Sequence, residues 1–180
     1  MKLLPYYLEL FYNLFRDHKR FTDIIWERLK KYHLDGKFNS GFYEVEKRVE
    51  SYFNVSENVV LRFFYEVAEG KLKYRGRVLE TFDSELTTEL FVLATHFNNL
   101  LRKGKVIVDP ENLYVDYVLE TDLAMVIIYP GELHRETENH FKFTKDVQWA
   151  FGQLVLEGEE PAIIIADLLK KHGESPSTNE

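Results

Sequence analysis

VVLRFFYEVAEGKLKYRGRVLETF, residues 59–82, decides how the rest of the chain is read. Val59, Leu61, Phe63, Tyr65 and Val67 fall at every second position with Arg62 and Glu66 between them, which predicts a half-buried strand. Ala68–Glu69–Gly70 supplies a turn. Leu72 and Tyr74 then alternate with Lys71, Lys73, Arg75 and Arg77 on the way to Phe82. The pattern is an antiparallel hairpin with one apolar face and one basic face.

Downstream, Asp83 or Ser84 caps a helix whose apolar stripe is Leu86, Leu90, Leu93, Phe97 and Leu100, and Gly104 stops it. A second hairpin follows, from Lys105 to Asp109, through Pro110–Glu111–Asn112, and back along Leu113 to Glu120. The apolar run Leu123 to Tyr129 reads as a further strand, and Pro130–Gly131 as a break. A long helix is predicted over 137–157, burying Phe143, Val147, Ala150, Phe151 and Leu154, and a short one over 161–171. Upstream, apolar residues at helical spacing predict two helices over 5–33, with Pro5 at a first helical position. Phe42, Val45, Val49 and Tyr52 fit a shorter helix over 42–53. The expected fold is therefore α+β, an antiparallel sheet of four to five strands with helices packed on one face. It is read as a single domain over 1–172: a helical front segment 5–53, a core 59–157, the appended helix 161–171, and a disordered tail 173–180.

Composition narrows the function classes. The chain has 180 residues, 45% of them hydrophobic and 29% charged, the balance of a soluble globular protein. It has no cysteine, which excludes a disulfide scaffold, a thiolate metal site and a cysteine nucleophile. Glu9 interrupts the first apolar run and no small-residue cleavage site follows, so no signal peptide is read and a cytoplasmic location is expected. Residues 1–90 are neutral, with 15 basic and 15 acidic side chains, whereas 91–180 hold 8 against 15. The excess concentrates over 109–138, in Asp109, Glu111, Asp116, Glu120, Asp122, Glu132, Glu136 and Glu138 against Arg135. An acidic surface repels phosphate backbones, so neither nucleic acid nor an anionic membrane is expected as a partner.

No catalytic residue, cofactor site or metal site is expected. The glycines form no phosphate loop and no serine sits in a nucleophile elbow. Glu136 and His140, at i and i+4, have metal-ligand spacing, but such a pair is common by chance and an exposed acidic first turn is the reading preferred. His96 reads as a hydrogen-bonded structural histidine. The basic face is the stronger signal: Lys71, Lys73, Arg75 and Arg77, with Arg62 on the neighbouring strand, repel one another unless something acidic lies across them. The choices are an acidic protein partner, the 109–138 stretch of a second copy, or a lysine-protected edge strand. Ile164 and Leu168, on the short apolar helix, are the other candidate contact residues.

The order helix, strands, helix, strands, helix over 42–157 resembles the YbjN family. The matching segments are "VVLRFFYEV…KLKYRGRVLETF", "ELFVLATHFNNLLRKGKV", "VIVDPENLYVDYVLETDL" and "ENHFKFTKDVQWAFGQLV". The resemblance implies a fold like that of type III secretion chaperones, with extra helices at the front. It implies a non-catalytic, chaperone-like or regulatory protein-binding module, and a homodimer. An immunity or antitoxin protein, blocking a basic partner with the acidic 109–138 surface, is the alternative.

Overall fold

The structure is a computed structural model, and it describes residues 3–56, 59–101, 103–123 and 132–173. Five helices are described: α1 (Leu3–Arg16), α2 (His18–Asp35), α3 (Thr87–Leu100), α4 (Glu132–Gly152) and α5 (Pro161–Gly173). The strands are β1 (Gly41–Tyr43), β2 (Arg48–Ser56), β3 (Val59–Ala68), β4 (Lys71–Leu79), β5 (Lys105–Asp109) and β6 (Tyr114–Asp122). They form one open antiparallel sheet in the order β1-β2-β3-β4-β6-β5. The class is α+β, as expected, with six strands rather than four to five. The expected strand over 123–129 and the expected tail over 174–180 lie outside the described residues.

The expected helix over 42–53 is instead β1, a turn and β2. Val49, Ser51 and Phe53 are buried at every second position while Tyr52 is exposed, which is strand period. Val45, placed on the apolar stripe by the helical reading, is 92% exposed in the turn. Three interactions hold the turn where it is. Glu44 accepts from Trp26 Nε1 (2.7 Å) and Lys30 Nζ (2.9 Å) on α2, and Lys47, at φ 49°, pairs with Asp23.

The chain divides into two compact units, residues 1–76 with 119–141, and residues 77–118 with 142–180. In the first, β3 and β4 join through Glu69 and Gly70, both at positive φ (54° and 74°), as a two-residue hairpin turn requires. Leu61, Phe63, Tyr65 and Val67 of β3 are buried, with Leu72 and Tyr74 of β4. Phe21, Ile25, Trp26 and Leu29 of α2 complete this core. Phe63 makes aromatic contacts with Phe38, Phe53, Tyr65, Tyr74 and Phe141.

In the second unit, Asp83 caps the turn that leads into α3 by accepting from Glu85 N–H. Leu90, Leu93, Ala94 and Phe97 form the buried stripe of α3, and Phe97 meets Phe151 of α4. Phe143, expected in the core, is 39% exposed, whereas Val147, Ala150, Phe151 and Leu154 are buried as expected. β5 is the last strand of the sheet, and its outward backbone is covered: Asn98 of α3 donates to Val106 O (3.0 Å) and accepts from Val106 N–H (2.7 Å). One side chain thereby closes part of an edge that would otherwise pair with other chains.

Candidate functional site

Period two sends the side chains opposite the first unit's core to the outer face of β2, β3 and β4. The register sets them side by side: Arg48 opposite Glu66, Glu50 opposite Phe64, Tyr52 opposite Arg62, then Glu66 opposite Lys73 and Phe64 opposite Arg75. Arg48 lies 4.5 Å over the Tyr43 ring and 6.0 Å from Phe64, and Arg62 lies 5.2 Å over Phe64. Tyr43 and Tyr52 are exposed. The face is thus a ladder of arginines laid on aromatic rings, partly exposed cation–π contacts that also fix the guanidinium planes.

The basic residues of the sequence reading belong to this surface, but they are not bare. Arg62 pairs with Glu50 (3.6 Å), Lys73 with Glu69 (2.8 Å) and Lys71 with Glu120. The Lys73–Glu69 bond raises the lysine's pKa and lowers that of the carboxyl. Arg77 belongs to the other unit and is structural: only 12% of its side chain is exposed, it pairs with Asp116 (2% exposed), and it stacks 3.8 Å over Tyr114. The acids expected from a partner or second copy therefore come, for Lys71 and Arg77, from β6 of the same chain. Arg75 is exposed and in register with Phe64. Ile164 and Leu168 are buried, and α5 contacts α3, so neither offers a surface, while Ile163 and Leu169 of the same helix stay exposed.

Glu136 and His140 do not form an exposed acidic turn, since both are buried. His140 Nδ1 meets the Tyr65 hydroxyl at 2.7 Å, its Nε2 lies 3.5 Å from Glu136, and its ring stacks on Tyr74 at 4.7 Å. Burial pushes the Tyr65 hydroxyl well above the usual phenol range. His33 sits beside this network, 6.0 Å from Tyr65 ring to ring, with Nδ1 3.1 Å from Ser40 Oγ. Burial holds its pKa down at about 4. Buried groups that contact one another in this way specify packing, and no group of three or more metal-ligating side chains occurs among the described residues. His96 is exposed on α3 rather than structural.

Sequence reasoning missed Tyr43, Arg48 and Tyr52, because the helix assigned over 42–53 scattered them around a cylinder. Comparison with protein-family models, curated proteins and solved structures finds no match. Among the described residues no helix is long and apolar enough to cross a membrane.

Proposed function

We propose that this chain is a non-catalytic protein-binding module, chaperone-like or regulatory as the resemblance to the YbjN family implies, whose binding face is the outer surface of β2–β4. The observation that carries this reading is the arginine–aromatic ladder of Tyr43, Arg48, Tyr52, Arg62 and Phe64 on an uncovered sheet face. Tyrosine and arginine are enriched in binding hot spots: tyrosine offers large area with few rotors to freeze, and arginine offers a planar guanidinium that stacks and donates several hydrogen bonds. The interleaved Glu50, Glu66 and Glu69 make the face a charge mosaic, which suits a protein partner better than a phosphate backbone or an anionic membrane. The proposed location is the cytoplasm. The immunity reading draws no comparable support: Asp109, Asp116, Glu120 and Glu136 of the acidic stretch are engaged within the chain.

Affinity capture from native lysate tests the proposal, comparing the wild-type chain with Arg48→Glu/Tyr52→Ala. Specific partners retained by the wild type and lost by the variant support it. An identical set from both overturns it.

A further inference from the structure

Helix α1 turns its apolar face outward. Leu8, Phe11, Tyr12 and Phe15, at i, i+3, i+4 and i+7, form one stripe and are each 56–69% exposed. A groove of about 590 Å³ runs between α1 and α2, lined by Glu9 of α1 and by residues of α2 that include Ile24 and Arg20, the latter 3.7 Å from Glu9. A helix of this length is marginal on its own and draws its stability from burying an amphipathic face. That face is uncovered in the single chain.

We infer that the α1 stripe is a self-association surface, pairing antiparallel with α1 of a second copy across a two-fold axis. Glu9 and Arg16, seven residues apart, share one flank of the stripe. A two-fold axis between residues 12 and 13 sets Glu9 of each copy level with Arg16 of the other, so one contact is made twice with opposite charges opposed. The same register brings Phe15 of one copy level with residue 10 of the other, between Leu8 and Phe11, where a ring can seat. At roughly 200 Å² per large side chain, the exposed stripe supplies about 500 Å² per copy. Two copies together reach about 1,000 Å², the lower bound of a specific interface. A lipid surface fits less well, because Glu9 borders the stripe and the chain carries a net charge of −7. This surface is separate from the sheet face, so either reading can fail without the other.

Sedimentation velocity of the full chain from 1 to 100 µM tests the inference, with far-UV circular dichroism to confirm that each variant is folded. The wild type should run at twice its 21.4 kDa mass at the upper concentrations. Phe11→Glu/Phe15→Glu should weaken association by at least about 100-fold. Glu9→Arg and Arg16→Glu should each weaken it about tenfold, and the double reversal should restore it, because only an antiparallel pair makes the two changes compensate. A wild type that stays monomeric at 100 µM overturns the inference, as does a dimer that survives Phe11→Glu/Phe15→Glu. Flotation of the monomeric wild type, but not that variant, with phosphatidylglycerol vesicles overturns it in favour of a lipid surface.

Discussion

Arg77 and Asp116 form an ion pair with almost no access to water, and Arg77→Ala leaves Asp116 without its guanidinium. Breaking such a pair from one side costs on the order of 3 kcal/mol, whereas Lys73→Ala, whose partner Glu69 is exposed, should stay within about 1 kcal/mol. Urea unfolding of the two variants measures the contrast. His33 makes a second prediction at this scale. Its folded pKa of about 4 lies below that of a free imidazole, so the unfolded chain binds the proton more readily. The stability this represents is complete above pH 6.5 and is lost as pH falls toward 4, with roughly 2 kcal/mol gone between pH 7.5 and pH 5. His33→Phe should flatten that window. Asp23, Glu44 and Asp109, held below their usual range by hydrogen bonds, withdraw their contributions only at more acidic pH. The lysines and arginines of β4 were legible as a stripe from spacing alone. Which of them are buried pairs was not, because the acids that meet Lys71 and Arg77 arrive from a strand more than 30 residues away.

The clamp from Asn98 to Val106 ties α3 to β5 in the second unit. Asn98→Ala removes two hydrogen bonds from an edge strand, which should cost about 1–3 kcal/mol and raise the tendency to aggregate. Chemical denaturation followed by light scattering of the native variant checks both. Gly104 stands at the other end of the same connection, at φ 77°, where an added Cβ would meet the Tyr117 hydroxyl at 2.7 Å and Val118 O at 2.8 Å. Both hairpins and the α3 stripe could be read from the sequence, since local alternation and caps determine them. β1 and β2 could not, because Phe42, Val45, Val49 and Tyr52 satisfy helical spacing by coincidence. Their strand state depends on pairing with β3 and on the reach of Trp26, Lys30 and Asp23 to the turn. The signal that was available is the buried alternation Val49, Ser51, Phe53.

For the molecule as a whole, the fold class was readable and the proposed binding face only in part, through Arg62, Lys71, Lys73 and Arg75. Charge and apolar spacing pointed to Lys71–Arg77 and to Ile164 and Leu168, of which the structure draws Arg77 into a pair nearly closed to water and buries Ile164 and Leu168. Among the described residues, the surfaces in solvent include the arginine–aromatic face of β2–β4 and the stripe on α1. The sheet face is the central claim. Hydroxyl-radical footprinting of the chain, free and in complex with the protein it captures, reads the exposure of aromatic side chains directly. Tyr43, Tyr52 and Phe64 should lose most of their reactivity in the complex while Phe91, exposed on α3, keeps its own. Equal reactivity of Tyr43 and Tyr52 in the free and bound chain, with protection at another surface, would contradict the account.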